Sequence, residues 1–264
     1  MNSYREFFET TSAGWIFASM FGLIWGSFFN VLIVRLPQEK TLLTRSQCPS
    51  CQALIPWFLN IPVASYVWLR GQCRQCRKHI SIEYPIVEIL TAILFGGLFK
   101  YYGLGLDFLS ALVFLSNLLV ISVIDLHHQI IPDELSLSGI VVGFLFTLVT
   151  HRIPWWHSLI GVAIGGGIFL LIAVGYEKMT KRVGLGGGDV KLLAMIGAWQ
   201  GYQCLFPVII ISSALGSVIG LSFMAIQKKD LKAAIPFGPF LAVGAFVYQF
   251  WGEYLLELLF PSFQ

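Results

Sequence analysis

Long apolar runs separated by short polar breaks dominate the chain. The first covers 12–34 and ends at Arg35-Leu36-Pro37; a polar stretch follows over 35–81. Further apolar runs occupy 82–99, 106–124, 134–149, 157–176, 191–200, 204–226 and 237–260. An α-helix needs about 20 apolar residues to cross the hydrocarbon core of a bilayer. Within lipid only helices and closed barrels satisfy every backbone polar group. The pattern predicts an all-α polytopic membrane protein with about eight transmembrane helices. Its expected domains are an outer N-terminus and first helix (1–34), an extramembrane module (35–81) and a transmembrane core (82–264). The run 191–200 is short for a full crossing, and Trp199 stands where an interfacial end would fall.

Composition sharpens this picture. Hydrophobic residues make up 56% of the 264 and charged residues 12%, against about 25% charged in soluble domains; mean hydropathy is +0.76. The net charge of +3 comes without any long block of like charge, so no nucleic-acid arm is expected. The stretch 1–11 has one Arg against two Glu and lacks the basic start of a signal peptide, so the first apolar run is expected to stay as a helix. Under the eight-span reading, fourteen of the 17 Lys and Arg residues fall on one side: Arg35, Lys40, Arg45, Arg70, Arg74, Arg77, Lys78, Lys178, Lys181, Arg182, Lys191, Lys228, Lys229 and Lys232. Arg5, Lys100 and Arg152 fall on the other. The positive-inside rule makes the rich side cytoplasmic. Glycines 161 and 165–167, with Ser212, Ser213, Gly216, Ser217 and Gly220, are expected to permit close helix packing. Trp155, Trp156 and Trp251 are expected as interfacial anchors. No internal repeat is visible.

The polar module carries Cys48-Pro-Ser-Cys51 and Cys73-Arg-Gln-Cys76, separated by twenty-one residues. Each C-x-x-C can offer two thiolates to one tetrahedral ion, and two such knuckles complete a four-sulfur shell. Two disulfides are the alternative, disfavoured in a loop facing a reducing cytosol. A closed four-thiolate zinc has no open position for substrate, so its expected role is to fold the loop. His79 is read as a solvated neighbour and Cys204 as a small buried apolar residue.

Carboxylates at membrane depth are costly and therefore functional candidates. Asp125 ends the apolar run before His127-His128, and Asp189 sits in Gly184-Leu185-Gly186-Gly187-Gly188-Asp189-Val190-Lys191. Both fall at the cytoplasmic ends of their predicted helices. If they face each other, repulsion and partial desolvation would split their ionisation, as in aspartic-protease pairs. Glycines 186–188 would let backbone approach an extended substrate. Pairing of Asp189 with Lys191, or of Asp125 with His128, is the structural alternative. Asp133 and Glu134 follow Pro132, where helix capping and the dipole account for acids. A phosphate loop is excluded because G-x-x-x-x-G-K-[ST] is absent.

These segments, taken in order, resemble the type IV prepilin peptidases. The likeness runs through Gly26-Ser27-Phe28-Phe29-Asn30-Val31 with Arg35-Leu36-Pro37, and through the cysteine loop with Asn60-Ile61-Pro62, Leu69-Arg70-Gly71 and Ile80-Ser81. It continues in Tyr84-Pro85 and Glu88, in Asp125 to Ile131-Pro132-Asp133, in Gly186 to Lys191, and in Pro236-Phe237-Gly238-Pro239-Phe240. The resemblance implies a bacterial inner-membrane enzyme that cuts the leader of a prepilin or pseudopilin after a glycine, on the cytoplasmic side. It implies Asp125 and Asp189 as catalytic pair, with Gly186, Gly187, Gly188, Lys191 and Asp133 as substrate or pair support. It also implies N-methylation of the new amine by S-adenosylmethionine, with Gly71 and Glu88 linked to that step; zinc on Cys48, Cys51, Cys73 and Cys76 is expected from their ligand chemistry. Glu83 and Gln72 depart from the family pattern, which often has Arg and Lys there. Competing readings are an aspartyl intramembrane protease without methyl transfer, a zinc-loop assembly factor, and a proton-coupled transporter. The transporter predicts acids at the midplane between inverted repeats.

Overall fold

The computed structural model describes residues 13–42, 44–180, 186–227 and 236–259. The stretch 1–11, Gly184 and Leu185 of the glycine run, and Lys181, Arg182, Lys228, Lys229 and Lys232 of the charge count lie outside the described residues. Regular structure within them is helical, apart from two isolated bridges. The chain divides into two compact units, one up to Ser116 and one from Asn117.

In the first unit, α1 (Ala13–Arg35) packs along α3 (Glu83–Tyr102). Small residues set the approach: a Cβ at Gly26 would lie 2.6 Å from the Glu88 Cα, and one at Gly22 would lie 2.8 Å from the Ala92 Cα. Phe17, Met20 and Ile24, on the outer side of α1, are exposed, as lipid-facing positions are. At its end, the Arg35 guanidinium donates to the carbonyls of Thr41 (3.1 Å) and Leu42 (2.9 Å), turning the chain into the polar module. That module holds the short helix α2 (Ala64–Trp68). The helix α4 (Leu106–His128) starts in the first unit and ends in the second.

The second unit is arranged around α8 (Gly187–Gln200), whose residues from Leu192 to Ala198 are all buried. A helix apolar on every side is one enclosed by neighbours. Trp199 donates to the Gly139 carbonyl of α5 (Asp133–Thr150) at 2.8 Å, and Ser158 of α6 (Trp155–Val162) donates to the Ala198 carbonyl at 2.6 Å. The backbones of Gly161 and Gly197 meet directly, as the small-residue pattern predicts. Gln200 donates to the Ala245 carbonyl of α10 (Gly238–Leu259) at 2.9 Å. Enclosure explains why this apolar run is short: α8 faces protein, and Trp199 stacks on Phe146.

Among the described residues, five helices are long and apolar enough to cross a membrane: Ala13–Gln38, Glu83–Tyr102, Leu106–His128, Asp133–Thr150 and Tyr202–Ser222. The last includes most of α9 (Leu205–Gln227). The predicted run 157–176 is instead α6, a π-helical segment (Ala163–Ile168) and α7 (Phe169–Thr180). Three consecutive glycines, Gly165 to Gly167, fall in that π segment. The run 237–260 becomes α10, interrupted at Trp251 (φ −124°, ψ 19°).

Candidate functional site

Asp125 lies in the last turn of α4 and is 5% exposed. The helix stops soon after, where Gln129 adopts a left-handed φ of 54° and donates to the Asp125 carbonyl. Its carboxylate Oδ2 accepts the backbone N–H of Gly238 at 3.0 Å. Gly238 is the first residue of α10, so Asp125 satisfies an otherwise orphaned donor at a helix N-terminus. A Cβ at this glycine would stand 2.7 Å from the same oxygen.

Asp189 lies in the first turn of α8, after the glycines that open it. It is partly buried, and the charge of Asp125 bears on it. Ile131 ties the two sides together. A Cβ at Gly188 would touch Ile131 at 3.0 Å, and one at Gly238 would lie 3.4 Å from its Cδ1. The structure thus brings Asp125, Asp189, Gly188 and Gly238 to one place.

Lys191 pairs at 2.5 Å with Asp133, in the first turn of α5, rather than with Asp189. Asp133 therefore serves as more than a dipole partner, and Pro132 ahead of it makes no side-chain cap. This pair pins the start of α8 to the start of α5 and leaves Asp189 uncommitted to its neighbour. Gly186 stands at the N-cap of α8, where a Cβ would meet the Asp189 carboxylate at 3.1 Å. Open space surrounds Gly187.

The four cysteines of the first unit converge, with every sulfur within 4.8 Å of the others. Cys48 and Cys76 are 3.9 Å apart, and Cys51 and Cys73 are 4.0 Å apart. Four sulfurs bonded at ~2.3 Å to a tetrahedral zinc stand about 3.8 Å apart. The group can hold a metal. Both knuckles fold alike: Cys48 N–H donates to the Ala53 carbonyl and Cys73 N–H to the Lys78 carbonyl, while Gln52 and Arg77 adopt φ of 57° and 56°. Backbone N–H groups of Cys76 and Gln75 aimed at the Cys73 sulfur pull its thiol down to about 6. His79 is exposed and is not among the four.

Gly71 is buried with φ +67°, and a Cβ there would press on the Tyr66 hydroxyl at 2.9 Å. Its carbonyl accepts Ile80 N–H, closing the second knuckle. Glu88, on α3, accepts the Val63 N–H at 2.7 Å. Gly71 and Glu88 thus both shape the first unit, while the aspartates belong to the second. Gly238 appeared in the sequence only as part of Pro236-Phe237-Gly238-Pro239. Its one readable signal was a glycine between a proline-bounded turn and an apolar run.

Comparison with known proteins gives two family matches. Residues 20–102 match the bacterial peptidase A24 N-terminal domain, and residues 112–221 match the type IV leader peptidase family. A protein of Pectobacterium carotovorum subsp. carotovorum named prepilin leader peptidase/N-methyltransferase is 36% identical, covering 92% of this chain and 96% of its own. Proteins of the same name from Xanthomonas campestris pv. campestris (34% identical, 91% and 92% covered) and Legionella pneumophila (33%, 92% and 93%) are similar too. No solved structure matches the chain.

Proposed function

Since the chain belongs to the type IV leader peptidase family, we propose that it removes the leader of a prepilin or pseudopilin and then methylates the new N-terminal amine. The observation that carries the proteolytic half is the buried Asp125 carboxylate, oriented by the Gly238 N–H and within electrostatic range of Asp189. Two carboxylates at one site divide the work. One takes a proton from water as the water attacks the scissile carbonyl; the other gives a proton to the carbonyl oxygen. Collapse of the tetrahedral species breaks the C–N bond, and the departing amine takes up a proton.

The remaining assignments follow the same reading. Gly186, Gly187 and Gly188 give backbone access beside Asp189, and the Asp133–Lys191 pair positions that segment. S-adenosylmethionine supplies the methyl group. Zinc on Cys48, Cys51, Cys73 and Cys76 is structural, and Gly71 supports methylation by shaping the module around it. The enzyme is a multi-pass protein of the bacterial inner membrane. The Lys and Arg asymmetry supports a cytoplasmic placement for the aspartates and the cysteine module.

Co-expression with a prepilin, read by intact mass, tests both halves. The expected product lacks the leader and carries the mass of one added methyl group. Full-length, unmodified prepilin beside well-expressed enzyme would end the proposal; cleaved but unmethylated product would end its second half. Gly238→Ala offers a finer check, because its Cβ must displace the Asp125 carboxylate. We expect cleavage to slow by roughly 10- to 100-fold, the scale of small misplacements of catalytic groups. Substrate KM should change less than kcat.

A further inference from the structure

The cysteine module leaves its largest apolar side chains outside. Trp57 is 81% exposed and Trp68 is 86% exposed, and Phe58, Ile61 and Val67 between them are exposed too. All belong to one stretch, 46–69, that holds no charged residue. The 3₁₀ turn Trp57–Leu59 and the helix α2 carry them. A γ-turn at Val63 (φ 58°, ψ −48°) joins the two, with Ala64 N–H donating to the Pro62 carbonyl. Leu59, Tyr66 and Leu69 of the same stretch line a cavity beside Glu88, whereas Trp57, Phe58, Val67 and Trp68 do not. The stretch thus gives one set of apolar side chains to the module and leaves the other uncovered among the described residues. Exposed apolar surface on this scale marks a protein or membrane contact. The charge around it has one sign. No acid lies between Glu39 and Glu83, while Lys40, Arg45, Arg70, Arg74, Arg77 and Lys78 are all exposed.

We propose that Trp57, Phe58, Val67 and Trp68 dock the module on the surface of an anionic lipid leaflet, with the surrounding cations at its headgroups. The proposal rests on the membrane placement given above and on neither enzymatic step. Three observations favour lipid over a protein partner. The module is tethered at both ends, by α1 at Arg35 and by α3 at Glu83, to helices apolar enough to cross a membrane. A leaflet is therefore present at high effective concentration, whereas a soluble partner must be recruited. Tryptophan is also the side chain most at home at the lipid–water boundary, with its ring in the apolar layer and its N–H toward water. Lastly, a basic segment without acids complements anionic headgroups, and such attraction is strongest next to a membrane-crossing helix. Docking holds the cysteine knuckles at a fixed height over the lipid, at the level where a substrate helix leaves the leaflet.

Photolabelling of the full-length protein in nanodiscs tests this. The discs mix phosphatidylglycerol and phosphatidylcholine, and each lipid in turn carries a diazirine near the top of one acyl chain. Such discs are symmetric, so the result does not depend on which side the module occupies. Trypsin releases 46–70 as one peptide, because no Lys or Arg lies between Ser46 and Leu69. Label is expected in that peptide and in α1. Label in α1 with none in 46–70 would overturn the docking and leave the spanning helices standing; label in neither would overturn both. Relative to α1, the phosphatidylglycerol probe should label 46–70 at least ~5-fold more than the phosphatidylcholine probe, the scale of one Lys or Arg at an anionic surface. Added salt should narrow that ratio. Equal labelling by the two probes would reject an anionic surface as the partner. Trp57→Ser combined with Trp68→Ser should lower label in 46–70 by ~5-fold or more, the scale of removing partly buried large apolar side chains. Both side chains are largely exposed, so thermal unfolding should stay near that of the wild type. Undiminished label in this variant would overturn the aromatic contact. A patch that lipid leaves unlabelled but that added prepilin shields from hydroxyl radicals would be a protein-docking surface, and that result too would overturn the proposal.

Discussion

Asp125→Asn and Asp189→Asn should each reduce release of the leader by ~10³-fold or more. General acid and base groups contribute about 10²–10⁴-fold each, and a pair acting as one unit fails when either member is lost. Asparagine is nearly isosteric, and its carbonyl oxygen can still accept the Gly238 N–H that Asp125 now takes at 3.0 Å. The fold should therefore survive, and the loss should appear in kcat rather than in expression or in prepilin binding. Asn cannot take a proton from water, nor can it give one to a carbonyl. The measurement is single-turnover cleavage of a purified prepilin, with thermal unfolding of each variant as control. Near-normal cleavage by either variant would remove the aspartate pair from the mechanism. Lys191→Met provides the contrast, because Lys191 acts through Asp133 and touches neither catalytic carboxylate by a direct ion pair. Its effect should be a partial loss, smaller than that of either aspartate change.

The parts of this molecule that could be read from sequence are those whose causes are local. The helices that face lipid carry their apolar character in one run, so Ala13–Gln38 and Leu106–His128 were legible from hydropathy alone. The cysteine knuckles were legible too, because each places its two ligands three residues apart. Helix α8 was harder: its apolar run suggested a doubtful crossing, whereas enclosure by α5, α6 and α10 is what it serves. Length and hydropathy do not distinguish lipid from protein as the neighbour of an apolar face. Lys191 showed the limit for ion pairs, since its partner lies 58 residues away, not two. The contact between Asp125 and Gly238 spans 113 residues, and nothing in either local sequence announces it. The cavity beside Glu88 draws on α1, the cysteine module and α3 together, and the γ-turn at Val63 has no glycine to signal it.

Removal of metal from the cysteine module should have the second large effect. Of residues 44–81, only Cys48 and Gly71 are buried, while Trp57 is 81% exposed and Trp68 is 86% exposed. A segment with so little core cannot hold its shape by apolar burial, and chains below about 40 residues usually need a metal or disulfides. None of the five cysteines is in a disulfide. Structural zinc in comparable peptides binds with an apparent ~10–16 kcal/mol at neutral pH, enough to supply the folding free energy outright. We therefore expect the purified protein to carry about one zinc per chain by elemental analysis. Cys51→Ser combined with Cys76→Ser removes one ligand from each knuckle and should abolish that metal. Limited proteolysis should then cut within 44–81, while the helical signal, which arises mainly elsewhere, stays nearly constant. Protons compete with the metal for thiolate sulfur, so zinc should be retained at neutral pH and released as the pH falls. Methyl transfer should fall with the zinc, because Gly71, which accepts the Ile80 N–H that closes the second knuckle, belongs to the segment that loses its shape. Metal-free protein whose module resists protease would contradict this account, and the burial pattern makes that outcome physically difficult: with the sulfurs unbound, little else in the segment holds its two knuckles together.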